Sequence, residues 1–264
     1  MELSGFADRG WAVFPPEPAV QDWVDAVAPT AMALADDPNR LAEWVRHQAT
    51  WFVGVNALPN GPDGQVGAGP PLAGTARAAL DGLYGALPLE PAQVSAIYRG
   101  YPKQDPDESD ANHRFRLVRD AAHVDGLLPV GPDKRRKLIE PHAFVLGIPL
   151  NATSADAGPM VVWDGSHRIM ADAFAKAFAD IHPDDMSDTD LTDVYQAARR
   201  TCFDRCKRVV VHVPLGGSYI IHRLALHGVA PWPDHVDGPT VGRIIAYFRP
   251  ECPGGVAQWL AMAP

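Results

Sequence analysis

The chain has 264 residues, 47% hydrophobic and 21% charged, with a formal net charge of −9 at pH 7, the balance of a globular protein able to bury a sizeable core. That acidity excludes broad binding to nucleic acid or anionic membrane, since both need a basic face. Three cysteines are too few for a disulfide framework. The 26 prolines and 23 glycines are spread along the chain and favour short strands and turns over long helices.

In chain order, the opening MELSGFADRGWAVFPP has no basic stretch followed by an apolar run, so the expectation is a cytoplasmic protein without a secretory signal. No apolar run reaches the roughly 18 residues of a membrane span. Val20, Trp23, Val24 and Val27 recur at helical spacing. Asn39 is placed to cap a second helix carrying Leu41, Trp44 and Val45. Residues 54–72 read as a loop, and Thr75 opens a third helix with Leu80, Leu83, Tyr84 and Leu87 on its stripe.

From about residue 94 the texture changes to short β-rich runs: VSAIYRGY, RFRLVRDAAHV, HAFVLGIPL, PMVVWDG, RVVVHVPL, SYIIHRLALHGVA and VGRIIAYFRP. Most are separated by turn-forming clusters. A helical insertion at about 170–206 carries Met170, Phe174 and Phe178, then Leu191, Val194, Tyr195, Ala198 and Cys202. The expected fold is mainly β: a single domain over 1–264, with a mostly helical layer in 1–93 and a jelly-roll core in 94–250.

Ten histidines have to be sorted. His123 and Asp125 form His-x-Asp in a strand-like run, where residues i and i+2 share a face and can reach one ion. Two histidines and one carboxylate make the facial triad of non-haem iron sites. His212, His222 and His227 are candidates for the third ligand; His227 precedes Gly228 where a strand meets a loop. Arg243, sixteen residues on, opens an otherwise apolar strand, an odd place for a guanidinium unless its fork meets an anion. Cys202 and Cys206 share a helical face and read as packing, and DKRRK (133–137) reads as a solvated loop. Strand alternation back from His123 would place Arg119 on the same face. Trp163 and Trp232 are candidate pocket walls.

The ordered set His123-x-Asp125, GPMVVWDGSH (158–167), His227-Gly228 and Arg243, preceded by FADRGWAVFP, resembles the phytanoyl-CoA dioxygenase family. The resemblance runs from Phe6 to Pro250. It implies a double-stranded β-helix and an Fe(II)/2-oxoglutarate-dependent dioxygenase using O2, with His123, Asp125 and His227 as iron ligands. Arg243, with Thr240 as a hydroxyl helper, would take the distal carboxylate of 2-oxoglutarate; by their own positions in the sequence, apart from the resemblance, Arg119, Trp163 and Trp232 are expected to contact the substrate. The partner implied is a small organic molecule, hydroxylated with release of succinate and CO2. His167 falls in a structural motif of the family. Val229 stands where many members carry serine, and the stretch to Arg243 is long. A cupin-like metalloenzyme that does not use 2-oxoglutarate and a non-catalytic ligand-binding jelly roll remain the alternatives.

Overall fold

The computed structural model describes residues 5–262; Met1–Ser4 of the opening segment lie outside them. The elements in order are α1 (Phe6–Arg9), β1 (Trp11–Phe14), α2 (Pro18–Asp36), α3 (Pro38–Trp44), β2 (Val45–Arg46), β3 (Trp51–Gly54), α4 (Thr75–Tyr84), β4 (Gln93–Ile97), α5 (Asp110–Arg119), β5 (Leu127–Val130), β6 (Arg135–Leu138), β7 (Phe144–Pro149), β8 (Met160–Trp163), α6 (Ser166–Phe178), α7 (Thr192–Arg205), β9 (Arg208–Val211), β10 (Ser218–His222), β11 (His227–Val229), β12 (Arg243–Phe248) and α8 (Gly255–Ala261). A 3₁₀ turn, Pro183–Asp188, links α6 to α7. Among the described residues no helix is long and apolar enough to cross a membrane.

Seven strands form one antiparallel sheet in the order β1-β10-β7-β12-β4-β3-β2, and three form a second, β11-β8-β9. Their alternation splits the core in two. Val145, Met160, Val162, Tyr219, Ile221, Ile245 and Tyr247 fill the space between the sheets. Leu146, Ile148, Ile220, Ile244, Ala246 and Phe248 face the other way, against α2 and its neighbours. The large sheet is thus buried on both faces, which is why β7 and β12 read as unbroken apolar runs. This is the expected jelly-roll core with helices on one side.

The first 93 residues are less helical than expected. FADRGWAVFP contributes β1, which pairs with β10 at one edge, while β2 and β3 extend the other. Asp37, not Asn39, caps α3: its Oδ1 accepts from Asn39 N–H. Leu83 is exposed, and Leu87 falls beyond the end of α4. The insertion begins at Ser166. DKRRK is no free loop: Arg135–Leu138 pairs with Leu127–Val130 as a hairpin, and Arg135 and Lys137 bridge to Asp190 and Asp188.

RFRLVRDAAHV is the largest departure. Its first six residues belong to α5, where Ser109 Oγ accepts from Asn112 N–H at 3.3 Å, Asp110 sits in the first turn, and Arg116 and Arg119 in the last. Alternating arginine and apolar residues imitate a strand, yet Leu117 and Val118 are exposed and only Phe115 packs inward. The strand expected through His123 shrinks to one bridge. Left-handed Asp120 and Ala121 (φ 53° and 52°) precede it and Gly126 (φ 81°) follows it, so the chain cannot stay extended.

Trp23 anchors α2 to the sheet: it is fully buried, 5.7 Å from the Phe248 ring, and its Nε1 donates to the Gly64 carbonyl at 2.8 Å. Trp23→Ala should lower unfolding free energy by about 3–5 kcal/mol, read by urea titration. A loss under about 1 kcal/mol would contradict this packing.

Candidate metal centre

The segment between α5 and β5 meets β11 at His123. Its N–H donates to the His227 carbonyl at 2.8 Å, and His227 N–H donates back at 3.0 Å. Directly opposed antiparallel residues put their side chains on one face, and the two imidazoles lie 4.7 Å apart. Asp125 completes the group: its Oδ1 is 3.1 Å from His123 Nε2 and 3.7 Å from His227 Nε2.

The ring nitrogens are already sorted. His123 Nδ1 faces the Ala121 carbonyl at 3.0 Å, and His227 Nδ1 faces the Ala225 carbonyl at 2.9 Å. A carbonyl only accepts, so each Nδ1 holds a proton and each neutral ring offers an Nε2 lone pair. Both lone pairs converge on a carboxylate oxygen, itself only an acceptor. Such a meeting requires a cation or a proton between them.

Burial, ahead of the opposing pull of Asp125, pushes the His227 pKa down to about 4, so no proton resides there near neutrality. Burial also disfavours charge on His123, but the hydrogen bond and charge of Asp125 outweigh it and raise that pKa. Asp125 is held well below the usual carboxylate range: burial alone would raise it, and His123, His227 and Arg249 outweigh burial. Without metal, Asp125 therefore favours a proton on His123, at the place a divalent ion would take. Ligands bound at about 2.0–2.2 Å sit about 3 Å apart when adjacent, close to the spacings here. Two imidazoles and one carboxylate suit Fe(II).

Several residues hold this geometry. A Cβ at Gly228 would lie 2.1 Å from the Asp120 carbonyl oxygen, and one at Gly126 only 1.9 Å from that of Glu140. Both glycines permit backbone approaches closed to other residues. Arg208 grips the buried Asp120 carboxylate with Nε and Nη2, each at 2.7 Å, fixing the left-handed turn that delivers His123. Ser166 Oγ accepts from Leu226 N–H at 2.8 Å, steadying the residue before His227. His167 is buried with Nε2 on the Ala7 carbonyl, and His222 accepts from Leu224 N–H; neither belongs to the cluster, in keeping with a structural role. His212 is exposed. Cys202 is buried and free, in keeping with packing.

The cluster stands where two cavities meet. The inner one, about 300 Å³, runs between the sheets past Val145, Met160, Ser95 and Tyr247. The outer one, about 700 Å³, opens toward α5, α7 and the β5–β6 hairpin. His123, Asp125, Glu140, Val229 and Arg249 line both.

Arg243, first in β12, is 6% exposed, and its Nη1 has no hydrogen-bond partner among the described residues. Asn151 clamps the backbone on either side, donating to Gly242 O at 2.7 Å and accepting from Ile244 N–H at 2.9 Å. Arg243 is close enough to Tyr219 to act on its phenol, and the Tyr219 hydroxyl meets that of Tyr247 at 3.0 Å. Arg249, six residues on and therefore on the same strand face, was missed in the sequence: its Nη1 is 3.6 Å from Asp125 Oδ2. An even offset from Arg243 was the available signal.

Four other expectations are corrected. Thr240 is exposed in a surface depression with Met32, Asp36 and Tyr98, away from both cavities. Arg119 is exposed and lies over the Phe203 ring at 4.6 Å; it belongs to a helix, so strand alternation does not apply, and Arg116, one turn back, reaches the cavity instead. Trp163 points away from the inter-sheet space and packs edge-on against Phe203. Trp232 is buried in the long loop, its Nε1 donating to the Val236 carbonyl at 2.9 Å; it pins that loop and walls neither cavity.

His47, Asp105 and Glu108 form a second group of potential ligands. Here a cation is already present: Arg116 Nε donates to Glu108 Oε1 at 2.7 Å. Asp105 is also engaged, accepting from the backbone N–H groups of His47 and Gln48. That group ties β2–β3 to the 101–113 segment.

No family model matches the sequence, and no curated protein matches it. Among solved structures, the chain is similar to the non-heme alpha ketoglutarate dependent carbocyclase SnoK from nogalamycin biosynthesis, with 14% identity over 97% of this chain and 88% of SnoK and a TM-score of 0.46. It is similar to EctD from S. alaskensis, crystallised with bound Fe, at 16% identity over 96% and 79% of the two chains, TM-score 0.45. AviO1 from Streptomyces viridochromogenes Tue57 is 15% identical over 96% and 94%, TM-score 0.43. The chemistry of the site follows from its own residues rather than from these distant likenesses.

Two outcomes check the site. In ¹⁵N NMR of the protein without metal, His227 should be the Nδ1–H tautomer at about pH 5.5 and take its proton near pH 4; a midpoint near the ordinary 6.5 would contradict its burial. Arg208→Gln should leave the fold intact by circular dichroism and weaken Fe(II) binding about 10- to 100-fold, since it frees the turn before His123. Unchanged affinity would remove Arg208 from the support of the site.

Proposed function

We propose that the chain is an Fe(II)/2-oxoglutarate-dependent oxygenase acting on a small organic molecule, with His123, Asp125 and His227 as the iron ligands. The observation that carries this reading is the convergence of two Nε2 lone pairs on an ionised carboxylate at the junction of two cavities. Bound there, iron would supply O2 activation coupled to conversion of 2-oxoglutarate to succinate and CO2, with the substrate hydroxylated.

The chain's own residues supply the rest. His123, Asp125 and His227 occupy one side of the site and leave the side facing the cavities for cosubstrate and O2. Arg249 sits against the outer oxygen of Asp125 and restrains the carboxylate from rotating. The inner cavity suits a short dicarboxylate. Arg243, buried with an unused N–H beyond the Tyr219–Tyr247 pair, is the charge positioned for its distal carboxylate. The apolar lining of Val145 and Met160 keeps water from the reacting end. The outer cavity is left for the substrate, one wall being Val229 where many members of the resembled family carry serine. The single-domain reading of 1–264 is part of the same proposal.

Anaerobic Fe(II) and 2-oxoglutarate added together should produce a weak visible charge-transfer band. Arg243→Ala should weaken 2-oxoglutarate binding about 10- to 100-fold and leave Fe(II) affinity unchanged. A band whose 2-oxoglutarate dependence is indifferent to Arg243 removes Arg243 from the cosubstrate site, and Fe(II) binding with no band favours the cupin-like alternative. Absence of any band, with no succinate formed, contradicts the oxygenase reading.

A further inference from the structure

We infer that the outer cavity takes an anionic substrate, an organic carboxylate or phosphate ester, whose charged end is held by Arg136 and Arg199; this rests on the oxygenase reading for the direction in which the anion points. In an acidic chain, this one cavity gathers four arginines from four separate elements: Arg116 from α5, Arg136 from β6, Arg199 from α7 and Arg249 just past β12. Among the described residues, only two carboxylates line it, Asp125 and Glu140.

The four guanidinium groups are not equally committed. Arg116 is neutralised by Glu108 at 2.7 Å. Arg249 shares Asp125 at 3.6 Å. Arg136 Nη1 donates to the neutral Leu127 carbonyl at 2.9 Å. Arg199 lies over the rings of Phe115 at 4.7 Å and Tyr195 at 5.2 Å. Neither Arg136 nor Arg199 forms an ion pair with a carboxylate among the described residues.

A guanidinium lying over aromatic rings spends none of its five N–H donors on a counter-charge, and a carboxylate or phosphate can be held by two of them in parallel. A half-buried guanidinium without a counter-charge is costly, and a bound anion would remove that cost. Metal binding sharpens the imbalance. Once Asp125 is a ligand, Arg249 must share it with a dication, and Glu140 alone opposes Arg136, Arg199 and Arg249. A neutral or cationic substrate would leave that excess unanswered. The size of the cavity, about 700 Å³, fits an ordinary metabolite-sized ligand, and Trp51, Tyr101 and Phe115 offer flat walls to its carbon skeleton.

The test uses three probes of one shape, phenylacetate, phenyl phosphate and neutral 2-phenylethanol, titrated calorimetrically into the full-length protein. It is run on protein without metal, and anaerobically on Fe(II)-loaded protein saturated with 2-oxoglutarate. At least one anion should bind about tenfold or more tighter than the alcohol, with and without metal, and which anion wins distinguishes carboxylate from phosphate. Arg136→Gln and Arg199→Gln should each reduce that preference about threefold or more, toward parity with the alcohol, while leaving the alcohol's affinity unchanged. Equal binding of anions and alcohol by the unsubstituted protein overturns the inference, whatever the variants do. So does a preference that survives both substitutions, or one that vanishes with the metal and ignores both arginines, since the anion would then be a metal ligand. Failure of the oxygenase reading would appear separately, as an absent charge-transfer band with anion preference intact.

Discussion

Two hydrogen bonds between the backbones of His123 and His227 are the constraint on which this molecule turns. They join a loop to a strand more than a hundred residues away, and they set two imidazoles side by side with lone pairs facing inward. Much of the nearby architecture serves that contact. Gly228 lets the loop approach, Gly126 turns it away again, Arg208 fixes the bend before it through Asp120, and Ser166 steadies the chain beside His227. The short strand β11 is otherwise held by β8, itself paired to β9, so the small sheet holds His227 in place.

The position of the cluster matters as much as its geometry. It separates a narrow space between the sheets from a wider one under the helices, so an ion held there, as proposed, would face both. Charge is distributed accordingly. Behind the Tyr219–Tyr247 pair lies one buried guanidinium, Arg243, with an unused donor, and the outer wall holds several at graded distances from carboxylates. An acidic exterior around such an interior keeps the positive potential local, where it selects ligands without recruiting nucleic acid.

The meeting of His123, Asp125 and His227 and most of the core strands were legible because they depend on residue type and alternation: His-x-Asp, His-Gly and an arginine on an apolar strand carry their chemistry in their identities. What was illegible depends on direction. The arginines and apolar residues of 114–119 alternate like a strand, but Ser109 and Asp110 start a helix there, and that turns Arg119 to the surface and Arg116 inward. Trp163 and Trp232 are the right type for a pocket wall, yet one lies on the outer face of β8 and the other is pinned to its own loop. Thr240 is near Arg243 in sequence, but a strand start separates their side chains. Arg136 and Arg199 reach the cavity from a hairpin and a helix with no sequence relation to the ligands, so only the assembled fold brings them together.

Anomalous diffraction at the iron edge, from crystals grown anaerobically with Fe(II), tests the central claim most directly. The account predicts one strong peak within about 2.2 Å of His123 Nε2, Asp125 Oδ1 and His227 Nε2, with both Nδ1 atoms still on the carbonyls of Ala121 and Ala225. A peak at His47, Asp105 and Glu108 instead, or no peak between the two histidines, would contradict it.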